Sequence, residues 1–300
     1  MDAERQLPQA GEIFLDHVAH FVADRDEAAK ALTRAGFAPT PISIQTDGGK
    51  LTGTGNVTAM MTRGYIEVLF KTADTTLGEE LDRALSRFSG VHLIAFSVAD
   101  ARKESERLRA TGFKTTPLVE LRRPVASETG NAEAAFTVAR VQSGQMAEGR
   151  IQLLTHHTES AVWQPRWLSH PNGASTLLDA LVAVADVDEA AARYARFTAR
   201  TASASRLGRM IQLDRGAIHL TDPGTFSRLV PGLPVPGLPF IGAYALRTNS
   251  LIATAKVLRE NGNNFEQRDR MLFTPFPKAL GTGAWIFVEQ SADLPWRVRG

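Results

Sequence analysis

The sequence predicts an α+β fold built from four copies of one βαβββ-type module. A segment that combines a strand with a helix recurs four times along the chain, and several short apolar stretches follow each copy. The composition agrees, because 43% hydrophobic side chains in 300 residues are enough for a large folded core.

The recurring segment contains a strand, a turn and an amphipathic helix. Its first copy, LDHVAHFVADRDEAAKALTRAGF from Leu15, reads as an alternating strand, an acidic turn and a helix closed by Gly36. The other copies begin at Val91, Leu177 and Phe240. The turn residues that mark the phase are Asp24, Asp100, Asp186 and Asn249. This periodicity indicates one structural unit that is used four times.

Each predicted helix is followed by a stretch suited to three short strands. The last strands are YIEVLFKT from Tyr65, RIQLLTHH from Arg150, AIHLTDP from Ala217 and AWIFVEQ from Ala284. Because turn-rich segments join these strands, we expect antiparallel pairing with the helices packed on one face of the sheet.

The middle of the chain has a different composition. The segment TESAVWQPRWLSHPNGAST, from Thr158, is rich in Trp, Pro and Gly and has no helical or strand period. We therefore predict an N-terminal domain at residues 12–158, a linker at 159–175 and a C-terminal domain at 176–292.

Charge and cysteine content exclude several classes of function. The 34 basic and 32 acidic residues nearly balance, so nucleic acid is not an expected partner. The chain has no cysteine, which leaves His, Asp, Glu and Gln as ligands for a fairly hard divalent metal. No nucleophile elbow, P-loop or dinucleotide-binding motif is present.

The N-terminal segment, MDAERQLPQAGEIF, is charged and lacks the apolar core of a signal peptide. No later stretch approaches the roughly 18 apolar residues that a membrane-spanning helix needs. We therefore expect a cytoplasmic protein without a membrane partner.

Three stretches carry a family resemblance: LDHVAHFVAD at the start, YIEVLF at the end of the first module, and IQLLTHHTESAVWQPRWLSHPNGA before the third. Together they resemble the glyoxalase-like branch of the vicinal-oxygen-chelate superfamily. This superfamily includes glyoxalase I, extradiol dioxygenases, fosfomycin-resistance enzymes and metal-free bleomycin-binding proteins. The resemblance implies two domains of paired modules, each with a curled mixed sheet around a cleft.

The resemblance also implies a metal site, because the first and last strands of paired modules supply ligands to one divalent ion. In the first module the matching positions are His17, seven residues before Asp24, and Glu67 in the last strand. An imidazole and a carboxylate suit iron, manganese, nickel or zinc.

The second module departs from this pattern. Gln152 occupies the carboxylate position, and the position seven residues before Asp100 is Leu93. His92 lies one residue earlier, on the opposite face of a regular strand unless a β-bulge turns it inward. The predicted metal ligands are His17, Glu67, Gln152 and His92, and the predicted catalytic residues are Glu67 and Gln152.

The other polar residues have simpler, mainly structural explanations. The corresponding positions of the second pair of modules, which we expect to be mainly structural, are Asp179, His219, Gly242 and Phe287. His156 and His157 are adjacent on a strand and cannot easily bind one ion together. Arg122 and Arg123 would either meet an anionic substrate group or lie in solvent.

These observations support two classes of function. The first is a metal-dependent enzyme, of lyase, isomerase or dioxygenase type, whose metal chelates adjacent oxygens of a small substrate. The alternative, favoured by Leu93 and Gln152, is a metal-free protein that binds or sequesters a small molecule in the same cleft. A third possibility is that the extra half, with its stiff apolar GLPVPGLPF stretch from Gly232, serves chiefly to cap the cleft or to form a homodimer.

Overall fold

A computed structural model describes residues 5–47, 50–127 and 130–297. The first module comprises β1 (Ile13–Val22), α1 (Arg25–Arg34), β2 (Ser43–Asp47), β3 (Lys50–Met60) and β4 (Tyr65–Lys71). After α2 (Thr76–Leu85), the second module comprises β5 (Gly90–Val98), α3 (Ala101–Ala110), β6 (Val119–Ser127), β7 (Gly130–Arg140) and β8 (Arg150–His156).

The second half repeats this order. After α4 (Glu159–Val162), the third module comprises β9 (Ala174–Ala183), α5 (Val187–Thr198), β10 (Ala202–Ser205), β11 (Gly208–Gln212) and β12 (Ala217–Thr221). After α6 (Pro223–Leu229), the fourth comprises β13 (Phe240–Thr248), α7 (Leu251–Glu260), β14 (Glu266–Arg268), β15 (Met271–Pro275) and β16 (Ala284–Val288). The segment predicted as a linker contains α4 and a 3-10 turn at Pro165–Trp167, and the division into domains stays a prediction.

Helix capping explains why the modules share one phase. The carboxylates of Asp24, Asp100 and Asp186 each accept hydrogen bonds from backbone N–H groups in the first turn of the following helix. In the fourth module the cap is Ser250, whose hydroxyl accepts from the backbone N–H of Ala253. The assignment of Asn249 to this phase was therefore wrong by one residue.

The sheet topology confirms the predicted α+β fold of four modules with curled mixed sheets. Within a module the first strand pairs in parallel with the last, so the first module has the order β1-β4-β3-β2. The antiparallel β1–β5 ladder and one β2–β6 pair, Thr46 with Arg122, close the first eight strands into a barrel-like sheet. The second half runs β14-β15-β16-β13-β9-β12-β11-β10.

Buried side chains occupy both faces of the sheet. One face packs against the helices, with Ala28, Leu32, Leu108 and Leu258 among the contacts. The two halves also contact each other directly, since Nδ1 of His20 donates a hydrogen bond to the Leu280 carbonyl, 2.8 Å away. No helix in the described ranges is long and apolar enough to cross a membrane.

Two β-bulges interrupt the ladder between β1 and β5. Leu15 pairs with Phe96 and His17 with Ala95, so Asp16 is an extra residue on β1. On β5 the extra residue is His92, because Leu93 and Val91 pair with successive residues of β1. A bulge re-aims side chains locally, and these two bulges set the orientation of the residues at the site.

Candidate functional site

A small cavity, here called the inner cavity, lies inside the first eight-stranded sheet and has a volume of about 40 Å³. Its polar lining consists of His17, Gln45, Asn56, Tyr65, Glu67, Arg123, Arg140, Arg150 and Gln152. Its apolar lining consists of Leu69, Leu93, Leu121, Phe136, Val138 and Leu154. The structure therefore brings together three of the four predicted ligands: His17, Glu67 and Gln152.

Strand register shows which positions are equivalent in the four modules. The closing-strand position holds Glu67, Gln152, His219 and Ile286, which pair respectively with Ala19, Ala95, Leu181 and Ala245. Two residues before each of these partners lie His17, Leu93, Asp179 and Ala243. The fourth-module positions assigned from sequence, Gly242 and Phe287, were therefore each off by one residue.

A buried carboxylate orients His17. The Asp16 side chain is completely buried and accepts a hydrogen bond from Nδ1 of His17 at 2.7 Å and one from Nε2 of His156 at 2.9 Å. Burial alone would raise the pKa of Asp16, but these two histidines hold that pKa well below its usual range. Asp16 is therefore an ionised carboxylate that ties β1 to β8.

The other ring nitrogen of His17 points at Glu67. Nε2 of His17 lies 3.4 Å from Oε2 of Glu67, and the second oxygen, Oε1, accepts a hydrogen bond from Nδ2 of Asn56 at 2.6 Å. The Tyr65 ring stacks on the His17 ring with 4.4 Å between centroids. Both His17 and Glu67 are thus held in fixed orientations inside a buried site.

Gln152 faces the same cavity but is already engaged. Its Oε1 atom accepts a hydrogen bond from Nε of Arg140 at 2.9 Å. Burial, together with the nearby charge of Arg150, lowers the pKa of Arg140 to about 9, so the guanidinium keeps its charge at neutral pH.

The structure does not bring His92 to this site. Although the bulge is present, Nε2 of His92 donates to the Phe88 carbonyl at 2.7 Å and the imidazole stacks on the Phe88 ring at 4.2 Å. The His92 side chain lines a separate outer groove of about 590 Å³, while Leu93 occupies the ligand position in the inner cavity. The prediction of His92 as a ligand was therefore wrong. Of the two ligands predicted from the second module, Gln152 alone lines the inner cavity.

Two ligand-type side chains and one amide converge here, rather than a full set. Within the described ranges no cluster of three or more His, Cys, Asp and Glu side chains is arranged to hold a metal ion. A metal held by His17 and Glu67 would therefore depend on the amide oxygen of Gln152 for its third protein ligand.

The sequence profile described as a glyoxalase-like domain matches residues 15–198, more than half of the chain. The chain belongs to the glyoxalase-like domain family. This places it in the vicinal-oxygen-chelate superfamily. No curated protein matches the glyoxalase-like chain at a significant level.

Solved structures share the fold at low sequence identity. A hypothetical protein from Staphylococcus aureus aligns with a TM-score of 0.63 and 9% identity, over 92% of this chain and 98% of that one. A mutant of 4-hydroxymandelate synthase from Streptomyces coelicolor aligns with a TM-score of 0.61 and 15% identity, over 92% of each chain. A xylose isomerase-like TIM barrel/4-hydroxyphenylpyruvate dioxygenase fusion protein aligns with a TM-score of 0.57 and 10% identity, over 98% of this chain and 52% of the fusion.

In the second half of the glyoxalase-like chain, a tryptophan packs against Asp179 and His219, the residues that correspond to His17 and Glu67. Trp296 is buried, donates from Nε1 to Oδ2 of Asp179 at 2.7 Å, and stacks on His219 with 5.3 Å between ring centroids. Arg297 forms an ion pair with the same carboxylate. The Asp179 carboxylate is therefore engaged by contacts within the chain, and the Trp296 indole covers one face of the His219 ring.

Sequence reasoning missed Asp16, Asn56 and Tyr65 in the site of this glyoxalase-like chain, and did not give His156 its contact with Asp16. Regular alternation assigns Asp16 to the face opposite His17, and only the bulge places both near the cavity. The parity of β8 does place His156 on the face of Gln152, so that signal was available.

Proposed function

We propose that the inner cavity is the active site of a metal-dependent enzyme that acts on a small oxygenated molecule. The observation that carries this proposal is the 3.4 Å approach of His17 Nε2 to Glu67 Oε2. When Nδ1 of a neutral His17 donates to Asp16, its Nε2 presents a lone pair to a carboxylate oxygen that also carries lone pairs. A cation between the two atoms would relieve this contact.

The donor set fits a divalent ion in two respects. Two ligands about 2.1 Å from one ion at a tetrahedral angle lie roughly 3.4 Å apart, which matches the separation of these two atoms. In addition, a histidine that binds metal usually donates its other N–H to a carboxylate, as His17 does to Asp16. Gln152 would supply a weaker third ligand. When bound, the ion would act as a Lewis acid toward adjacent substrate oxygens.

The residues of the chain would position the substrate and move a proton. Oε2 of Glu67 would accept a proton from the substrate once the substrate oxygens displace it from the ion, while Asn56 keeps the other oxygen fixed. Gln152, an amide without acid–base chemistry, would orient the substrate through a side chain that Arg140 holds in place. The burial of His17, Glu67 and Gln152 would limit the access of water to these atoms.

Lyase, isomerase and dioxygenase reactions remain the classes to test. Structures named for 4-hydroxymandelate synthase and 4-hydroxyphenylpyruvate dioxygenase share the fold, so oxygen consumption with aromatic oxygenated acids is the first screen. Lyase and isomerase assays on small oxygenated carbonyl compounds follow under the same metal conditions.

The experiment is metal content by plasma mass spectrometry on tag-free protein purified without chelator. We expect near-stoichiometric metal in the wild type and in His157→Ala, whose imidazole is exposed and bonded to Thr137. His17→Ala and Glu67→Ala should lose it. A wild-type protein that is metal-free and takes up neither iron, manganese, nickel nor zinc would overturn the metal-dependent mechanism.

A second candidate function is metal-free binding of a small molecule in the same cavity. Two observations favour it: Leu93 occupies one ligand position, and Arg140 already engages the Gln152 oxygen. Metal-free protein that retains a small molecule through purification, identified by mass spectrometry after denaturation, would support this function over the enzyme.

A further inference from the structure

Among the described residues, one arginine of the inner cavity forms neither a hydrogen bond nor an ion pair. Arg123 is 7% exposed, and within the described parts of the chain its side chain makes neither a hydrogen bond nor an ion pair. Its guanidinium carbon lies 6.0 Å from the centre of the Phe136 ring. Burial lowers the pKa of Arg123, while Tyr65 and Glu67 oppose this shift.

The neighbouring cations in this cavity are already engaged. Arg150 forms an ion pair with Glu80 at 2.6 Å, and Arg140 donates to Gln152. Arg122, adjacent to Arg123, is exposed and paired with Glu133. An unpaired buried charge is costly, and proteins compensate such charges with an anion or a hydrogen-bond network. Arg140 forms no ion pair among the described residues either, but its Nε is held by Gln152, whereas Arg123 has no hydrogen-bond acceptor there.

We propose that Arg123 binds the carboxylate group of the substrate. The planar guanidinium presents two parallel N–H donors that match the two oxygens of a carboxylate. The inner cavity, at about 40 Å³, has room for a group of that size. A singly charged carboxylate is favoured over a phosphate because Glu67 lines the same small cavity and would repel a dianion more strongly.

The rest of the substrate would lie in the groove beside Arg123. Arg123 also lines a second groove, here called the Trp167 groove, together with Met60, Thr58, Val125 and Trp167. The Trp167 ring offers apolar surface next to the charge, and the buried Met60 side chain lines the groove behind it. An organic acid with an apolar or aromatic body therefore fits this combination better than a small inorganic anion.

This inference rests on the inner cavity being the substrate site, as proposed above. It is tested separately from metal binding, by measuring thermal unfolding of protein stripped of metal on a chelating resin, in chloride buffer at constant ionic strength. Benzoate is the ligand used, benzamide is its neutral isostere, and inorganic phosphate is the competing anion. At ten times its dissociation constant, benzoate should raise the wild-type Tm by about 3 °C.

The variants separate a binding role from a structural one. Arg123→Met should lose the response to benzoate, and its Tm in chloride alone should equal or exceed that of the wild type, because an unpaired buried charge is removed. Arg122→Met, the matched surface control, should keep the full response. Both variants should retain the metal content of the wild type if the metal proposal holds.

Several results would overturn the assignment. Wild-type protein that responds to benzoate and benzamide equally, or to neither, has no carboxylate site in this cavity. A larger response to phosphate would contradict the carboxylate class. An Arg123→Met protein that still responds, or that melts well below the wild type in chloride, would show that Arg123 has a structural role.

Discussion

Replacement of Asp16 by asparagine tests how the site is held. The carboxylate accepts one hydrogen bond from His17 and one from His156, and both bonds are buried. An asparagine keeps one acceptor oxygen and places an NH₂ group against the other imidazole N–H. One charge-assisted hydrogen bond, worth about 1.5–3 kcal/mol, is then lost, and the other is weakened by about half.

The expected loss of unfolding free energy for Asp16→Asn is therefore about 3 kcal/mol. The substitution should also lower metal affinity about 10- to 100-fold, because the neutral amide no longer fixes and polarises His17. Urea unfolding followed by tryptophan fluorescence measures the loss of unfolding free energy. Trp163, whose ring centroid lies 4.7 Å from that of His156, is a local reporter. Metal titration measures the change in metal affinity.

Asp74→Asn provides the matched control, since Asp74 is an exposed carboxylate paired with Lys71. It should leave stability and metal affinity close to the wild type. If Asp16→Asn loses less than about 1 kcal/mol and binds metal as tightly as the wild type, the orienting role assigned to Asp16 is incorrect.

Three further predictions concern other residues. Leu93→His should strengthen metal binding, measured by titration, because it places an imidazole in the empty ligand position; unchanged affinity would contradict the equivalence of Leu93 and His17. Trp296→Ala should lower the free energy of unfolding in urea by about 3–5 kcal/mol, as a buried indole is removed; a loss below about 1 kcal/mol would mean that the indole does not pack against Asp179 and His219. Burial lowers the pKa of His92 to about 4. Between about pH 6.5 and pH 4 the unfolded chain therefore binds more protons than the folded state, so the free energy of unfolding should fall as the pH is lowered through this range. His92→Phe should flatten this part of the pH profile by up to about 3 kcal/mol, and an unchanged slope would exclude His92 as its source.

The fold was predictable because its signals are local. The carboxylate of Asp24 caps α1 by accepting from the backbone N–H groups of Asp26 and Glu27, and such a cap is visible in a few residues of sequence. The cap predicted for the fourth module was wrong by one residue because Asn249 and Ser250 are both good capping residues. Only the backbone geometry at Ser250 decides between them.

The site was only partly predictable because it depends on strand pairing. His17 and Glu67 follow from position within their strands, whereas the location of Asp16 requires the bulge that forms when β1 pairs with β5. The choice between Arg122 and Arg123 has the same origin. Adjacent strand residues face opposite ways, and the sequence does not say which face is buried.

The Trp296 contact lies further beyond the reach of sequence reasoning. The indole meets Asp179, which is 117 residues away in the chain, and no local pattern marks that contact. The sequence could indicate that this half lacks a complete ligand set, but it gave no sign of the side chain that fills the space.

The bulged ladders have a consequence for how this fold diversifies. In each pair of modules the backbone presents the same position, and the four copies fill it with His17, Leu93, Asp179 and Ala243. An imidazole, an isobutyl group, a carboxylate and a methyl group thus occupy one geometry without loss of the module. Duplicated modules of this kind separate the scaffold from the side chains that it displays, so one copy can fill the position with a packing residue while another keeps a polar one there.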